Sequence, residues 1–172
     1  MNDNIRRLLE ELEEFDKKNY VFNVPREGGE FLNLLVGLKK PKNILEVGTS
    51  NGYSTIWLAM ESNNVTTIEK DSYRAGLAQE NFRKAGLKNI KLVTEDALEV
   101  LPKLKKRFDF VFLDAVKKDY INYFKLIKFE KGAIVVADNI LTHDLDEYCD
   151  FVRNKYKSLL VKIGNGMEVT VV

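Results

Sequence analysis

Two segments bring oxygen ligands and an amine close together in the chain. Phe108-Asp109-Phe110-Val111-Phe112-Leu113-Asp114 and Gly132-Ala133-Ile134-Val135-Val136-Ala137-Asp138 are largely apolar runs that each finish in an aspartate, and Asn139 follows the second. Read as neighbouring buried strands, they deliver Asp114, Asp138 and Asn139 to one edge of a sheet. Three hard oxygen ligands at adjacent strand ends suit Mg²⁺ or another divalent cation, with water and substrate completing the octahedron. Each acid alone could equally cap a loop. Lys117 stands three residues after Asp114. A lysine held beside a divalent cation has its pKa pushed down and would serve as a general base. A plain helix-start lysine would have the same spacing.

A second constellation lies in residues 43–59. Ile44, Leu45 and Val47 form a short apolar run that ends at Gly48; a small polar loop then reaches Gly52, and Ile56, Ala59 and Met60 follow at helical spacing. A strand, a glycine-bearing turn and a helix in that order make half of a nucleotide-type binding unit. Residues without bulk let the backbone approach a ligand, and free N–H groups at the helix start point at it. The glycines read Glu46-x-Gly48-x-x-x-Gly52, not the dinucleotide pattern G-x-G-x-x-G. Glu46 would repel a pyrophosphate but suits a ligand with a cationic centre and an amine, and S-adenosylmethionine has both. A strand–loop–helix with no ligand is the bland alternative.

Val65-Thr66-Thr67-Ile68-Glu69 reads as the next strand, and its closing acid lies ~20 residues beyond the loop, the offset of a ribose-binding carboxylate. Ile90-Lys91-Leu92-Val93 alternates as a third strand and leads to Asp96, on the same edge. Asp96 could accept from an adenine amino group; a simple helix N-cap would look identical.

The remaining elements must hold these strand ends in place. Residues 2–19 read as a helix with Ile5, Leu8, Leu9, Leu12 and Phe15 in one stripe, which could cover the sheet or a second copy of the chain. Pro25 suits the first turn of another helix, with Phe31, Leu32, Leu34, Leu35 and Leu38 as its buried face. Gly28-Gly29 implies close approach of a neighbour or ligand there. Asp71 caps a helix with Leu77, Ala78, Phe82 and Ala85 inward, stopped by Gly86. Tyr120, Ile121, Phe124 and Ile127 mark a helix over 117–128, and Leu145, Tyr148, Cys149, Val152 and Tyr156 mark a last one. Residues 158–163 and 167–172 form a hairpin around Gly164-Asn165-Gly166.

With 172 residues, 45% of them hydrophobic and 31% charged, the chain fits one globular domain over 1–172, its first ~40 residues covering the sheet and the cofactor site. No apolar run approaches the ~20 residues that span a bilayer. The charged N-terminus lacks the apolar core of a signal peptide, so a cytoplasmic location and no membrane partner are expected. Cys149 is the lone cysteine and reads as a packing residue. Net charge is +1. The basic clusters at 39–42 and 103–107 read as solvated loop and helix-end charge.

From about Asn19 onward the chain resembles the cation-dependent O-methyltransferases that include catechol and caffeoyl-coenzyme A O-methyltransferases. The resemblance rests on Val24-Pro25-Arg26-Glu27-Gly28-Gly29-Glu30-Phe31-Leu32, Leu45-Glu46-Val47-Gly48 with Gly52-Tyr53-Ser54, Phe112-Leu113-Asp114-Ala115-Val116-Lys117-Lys118-Asp119-Tyr120, and Val136-Ala137-Asp138-Asn139. The opening segments look most like the branch that methylates 5-hydroxyuridine in tRNA. The resemblance implies an α/β, Rossmann-like class I methyltransferase fold: a seven-stranded, mostly parallel sheet with its last strand antiparallel and helices on both faces. It implies S-adenosylmethionine bound by Val24, Glu46, Gly48, Ser50, Gly52, Tyr53, Ser54, Glu69, Lys70, Asp96, Ala97 and Asp114, with Ser54 near its carboxylate. It implies a divalent cation on Asp114, Asp138 and Asn139, and Lys117 as the residue that deprotonates the acceptor.

The acceptor would be a small hydroxylated aromatic or a tRNA uridine, and a homodimer is expected by analogy. Val116 replaces an acid often found between the metal aspartate and the lysine. The segment after Asn139 is short, which leaves the acceptor pocket open enough for a nucleotide. Two readings from other classes stand beside this one. A nicotinamide-dependent oxidoreductase lacks its second glycine here, and a catalytically inactive cofactor-binding module would not need Asp114, Lys117, Asp138 and Asn139.

Overall fold

The computed structural model describes residues 1–19 and 21–172. Its elements in order are α1 (Asp3–Asn19), α2 (Arg26–Lys39), β1 (Ile44–Val47), α3 (Tyr53–Met60), β2 (Val65–Ile68), α4 (Ser72–Ala85), β3 (Ile90–Val93), α5 (Ala97–Val100), β4 (Phe108–Leu113), α6 (Tyr120–Leu126), β5 (Phe129–Ala137), α7 (Asp146–Arg153), β6 (Lys157–Val161) and β7 (Met167–Val171). The strands form one sheet in the order β3-β2-β1-β4-β5-β7-β6. The pairs from β3 through β5 are parallel, and β7 runs antiparallel to both β5 and β6. The expected seven-stranded sheet with an antiparallel last strand is what the chain forms.

Alternation along the central strands explains why helices cover both faces. In β4, Phe110 and Phe112 join a core with α1, α2, α3 and α4, whereas Val111 and Leu113 join one with α5, α6 and α7. A strand buried on both faces has no reason to alternate with polar residues, so it reads as a continuous apolar run. The chain goes outward from β1 through β2 to β3, then returns to β4 and continues the other way. The crevice between the carboxyl ends of β1 and β4 is therefore the switch point at which such sheets bind ligands.

Local chemistry places the helices. Asp71 accepts from the Arg74 N–H at 2.9 Å and starts α4, and Gly86, at φ 70°, ends it. α1 lies against α4, with Asn4 Nδ2 donating to Lys84 O at 2.9 Å. Its stripe of Ile5, Leu8, Leu9 and Leu12 is buried in the chain's own core.

Three expectations need correction. In α2, Leu34 and Leu38 are 58% and 73% exposed, and the buried face is Gly28, Gly29, Leu32 and Val36. The glycines decide this: a Cβ on Gly29 would lie 2.3 Å from Trp57 Nε1 on α3, so the helix turns its smallest residues to its neighbour. β5 reaches back to Phe129, beyond the Gly132 start read from the sequence, across an irregularity in its pairing with β4. The helix expected over 117–128 divides into a 3₁₀ turn at Lys117–Asp119 and α6, with Tyr123 buried where Ile121 was expected. No helix among the described residues is long and apolar enough to cross a membrane.

Candidate active site

Along the carboxyl ends of β1 to β5 runs a cavity of about 700 Å³. Its wall takes Gly48 and Ser50 from the loop after β1, Glu69 and Lys70 after β2, Asp96 and Ala97 after β3, Asp114 and Lys117 after β4, and Asn139 after β5. Nine residues singled out from the sequence thus meet on one surface, because parallel strands put all their carboxyl ends on the same edge.

Glu69 is buried, and its carboxylate is held at both oxygens. Oε2 accepts from the Ser50 N–H at 2.8 Å and Oε1 from the Asp71 N–H at 2.9 Å. Ser50, at φ 49°, is turned so that its amide meets Glu69 while its Oγ donates to Val21 O at 3.3 Å. Asp96 combines the two roles that its position left open. It caps α5 by accepting from the Leu98 N–H at 2.9 Å, and it lines the cavity. Gly48, at φ 100°, packs so closely on the end of β4 that a Cβ would lie 2.1 Å from Asp114 O. No side chain fits between the two loops at the switch point.

Val24, Glu46, Gly52, Tyr53 and Ser54, expected at the cofactor, are not on the cavity wall. All five are buried in the fold. Glu46 is fully buried and accepts from Ser54 Oγ at 2.7 Å, Thr67 Oγ1 at 2.6 Å and Thr55 Oγ1. The first turn of α3 presents its hydroxyls to the sheet, and Glu46 collects them. Burial nevertheless pushes the Glu46 carboxyl up to about 7, against the pull of those hydroxyls. Tyr53 donates to Glu13 Oε1 at 2.7 Å, and Glu13 also pairs with Arg26 at 3.1 Å, which ties α1, α2 and α3 together. Burial, reinforced by Glu13, raises the Tyr53 hydroxyl far above its ordinary value. A Cβ on Gly52 would meet the Phe82 ring at 2.5 Å.

At the β4 and β5 ends the environment is different. Asp114 Oδ1 accepts from Lys117 Nζ at 2.6 Å. Asp138 is 1% exposed, and its Oδ1 has no hydrogen-bond partner among the described residues. Burial first, and then the charge of Asp114, raise the Asp138 carboxyl to about 7. Asn139 follows at φ 68°, a conformation that asparagine tolerates better than most residues. No group of three or more His, Cys, Asp or Glu side chains placed to hold a metal occurs among the described residues; the set here is two carboxylates and an amide. These are hard oxygen donors, one of them buried and short of a partner, and they fit a divalent cation.

Several residues of the site escaped the sequence. Tyr120 is fully buried, and its hydroxyl donates to Leu113 O at 2.9 Å with Asp138 O at 3.3 Å, tying together the two strand ends that carry the aspartates. The signal was available, since a buried tyrosine needs a partner for its O–H. Phe22, Thr142, His143 and Asn165 line the cavity from three separate loops and show no pattern in sequence. The loop after β5 is stitched to the hairpin turn by the Ile140 N–H to Gly166 O at 3.0 Å and the Leu141 N–H to Asn165 O at 2.9 Å.

The family model for O-methyltransferases matches residues 2–167. Over 123 residues the chain is 41% identical to the catechol O-methyltransferase of Niastella koreensis, covering 66% of this chain and 56% of that protein. The chain thus spans little more than half the length of this curated relative. The solved structure of the O-methyltransferase from Bacillus cereus in complex with SAH superposes with a TM-score of 0.85 at 27% identity, over 96% of this chain and 90% of that one. The O-methyltransferase TomG from Streptomyces achromogenes, in complex with SAM, gives 0.84 at 27% identity over 100% and 90%. With the seven-stranded sheet and the carboxylate-rimmed crevice already described, the matched residues show that the chain belongs to the O-methyltransferase family.

Proposed function

We propose that this chain transfers a methyl group from S-adenosylmethionine to a hydroxyl of a small aromatic acceptor, assisted by a divalent cation. The observation that carries the reading is the buried, partnerless Asp138 Oδ1 beside the Asp114–Lys117 pair; that pair, though not Asp138 itself, lines a cavity large enough for donor and acceptor together. The complexes of the Bacillus and Streptomyces proteins with SAH and SAM support the donor, and the name of the Niastella relative supports a catechol-like acceptor.

The donor supplies an electrophilic methyl on a sulfonium, and the cation supplies acidification and orientation of the acceptor hydroxyl. Everything else falls to the protein. Glu69, fixed by two backbone amides, would accept from the ribose hydroxyls, and Asp96 from an adenine amino group. Gly48 leaves the backbone bare at the switch point. Asp114, Asp138 and Asn139 would hold the cation. Lys117 Nζ, once unprotonated, accepts the proton of the acceptor hydroxyl.

Calorimetry with SAH tests the donor half, and heat of binding is expected. Transfer of label from S-adenosylmethionine to a panel of catechols, and in parallel to total tRNA, tests the rest. Catechol methylation that requires Mg²⁺ and stops with EDTA is expected. Label in tRNA alone would replace the acceptor, and no binding of SAH at any magnesium level would end the proposal.

A further inference from the structure

The position of Lys117 carries a second meaning, which rests on the cation reading above. Its Nζ lies 2.6 Å from Asp114 Oδ1, and both side chains are about four-fifths buried. On another side the ammonium faces the Tyr120 ring at 5.4 Å from the centroid. Tyr120 is itself immobilised, its hydroxyl bonded to the backbone of both aspartate-bearing strand ends. The ammonium is thus seated between a carboxylate and an aromatic face, an arrangement that suits a compact positive charge. Beside it, Asp138 keeps one buried oxygen without a partner. With both acids ionised, one lysine leaves the corner one positive charge short of neutral.

We propose that Lys117 is the resident counter-ion of the Asp114–Asp138 pair, and that a divalent cation enters by displacing its ammonium from Asp114. Two buried carboxylates cannot both stay charged without a compensating cation nearby. The tethered lysine supplies it at high effective concentration when no metal is bound. A divalent ion brings a further positive charge and can use the Asp138 oxygen that Lys117 leaves unsatisfied. The two occupants share Asp114, so their binding is mutually exclusive at that atom. Displacement also releases the amine into the cavity that Asn139, Thr142 and His143 line. Seating the cation and releasing the ammonium from Asp114 become one event, and Lys117 stays tied to Asp114 until the ion has arrived.

The test uses the intact chain without donor or acceptor, titrated calorimetrically with Mn²⁺ at fixed pH and salt. Lys117→Met, which keeps length and loses charge, is expected to bind Mn²⁺ at least 10-fold more tightly than the unaltered protein. Lys117→Arg keeps the charge and should bind no more tightly than the original. In the unaltered protein, reductive methylation of Lys117, read by mass spectrometry against exposed Lys118, should rise several-fold when Mn²⁺ saturates the site. Equal or weaker binding by a Lys117→Met variant that still melts cooperatively would overturn the displacement and leave the cation reading standing. Labelling of Lys117 that does not change with Mn²⁺ would overturn it as well, whether or not the variant folds. If neither protein binds Mn²⁺, the cation reading falls, and this inference falls with it.

Discussion

Glu46 on β1 and Asp138 just beyond β5 are both almost completely buried, and burial raises both carboxyls to about 7. Their surroundings differ. Glu46 has gathered three hydroxyls, from Ser54, Thr55 and Thr67, and every one of them belongs to an element packed against it. Asp138 has an oxygen with no partner although Tyr120, Asn139 and Lys117 are close at hand. A fold that can satisfy one buried acid so completely is able to satisfy another. Under the proposed function the partnerless oxygen is the one that takes an arriving cation, and the saturated acid is part of the scaffold. Burial and pKa alone do not separate the two acids; the count of partners does.

The strongest way to break that contrast is to remove Glu46. Glu46→Ala would leave the buried Ser54 and Thr55 hydroxyls without an acceptor, Thr67 keeping Thr49 Oγ1 as a partner, and would open a space beneath the first turn of α3, at a cost of roughly 3–5 kcal/mol. Denaturant unfolding monitored by circular dichroism reads this directly. A loss below about 1 kcal/mol would show that the hydroxyl cluster is not the scaffold proposed here.

Next in size is the pH dependence of stability. The folded Glu46 carboxyl titrates near 7, whereas an unburied glutamate titrates near its ordinary 4.5. Between those values the folded chain keeps a proton that the unfolded chain has released. The contribution of this group is thus complete below pH 4.5 and is lost as the pH rises to 7, a fall of roughly 3 kcal/mol. Glu46→Gln should lose that part of the slope, so the difference between the two proteins across this window is the quantity to measure. A difference that does not vary with pH would place Glu46 among ordinary ionised acids.

Asp138→Asn should behave in the opposite way. It removes a buried charge that has no full set of partners, so cation-free stability should stay within about 1 kcal/mol of the original. Methyl transfer, by contrast, should fall at least about 100-fold, with a matching loss of Mn²⁺ affinity. Lowered stability with undiminished turnover would reverse the roles assigned to the two acids.

How far the sequence reveals this contrast depends on the link involved. Strand ends were legible, since an apolar run that stops at an acid marks both the strand and the edge, and Glu69, Asp96, Asp114 and Asn139 lie on the cavity wall. The inward turn of Glu46 was not. A residue on a strand buried on both faces gives no clue to which side it points or whether α3 brings hydroxyls to it. The face of α2 was hidden for a related reason. Its apolar residues span so much of the helix that the pattern could not choose, and two glycines against Trp57 chose instead. Phe22, Thr142, His143 and Asn165 come from loops with no period, where only the folded chain shows that they meet.

Phe22 extends the comparison to a residue that contributes little to the fold. It is 77% exposed and sits at φ 60° on the cavity wall. Its N–H is held by Asp16 at 2.8 Å, and the adjoining Asn23 Nδ2 donates to Leu12 O at 3.3 Å. A bulky residue in that region of backbone space costs about 1–2 kcal/mol, and an exposed ring recovers little of it by burial. Phe22→Asn exchanges the ring for a side chain that adopts this conformation readily. The melting temperature should therefore move by no more than about 3 °C, whereas truncating a fully buried ring such as Phe110 costs about 3–5 kcal/mol. If the ring instead serves the acceptor, KM for a catechol should rise several-fold while KM for S-adenosylmethionine holds. A melting temperature lowered by more than about 10 °C would move Phe22 into the scaffold beside Glu46, and an unchanged acceptor KM would remove it from the site.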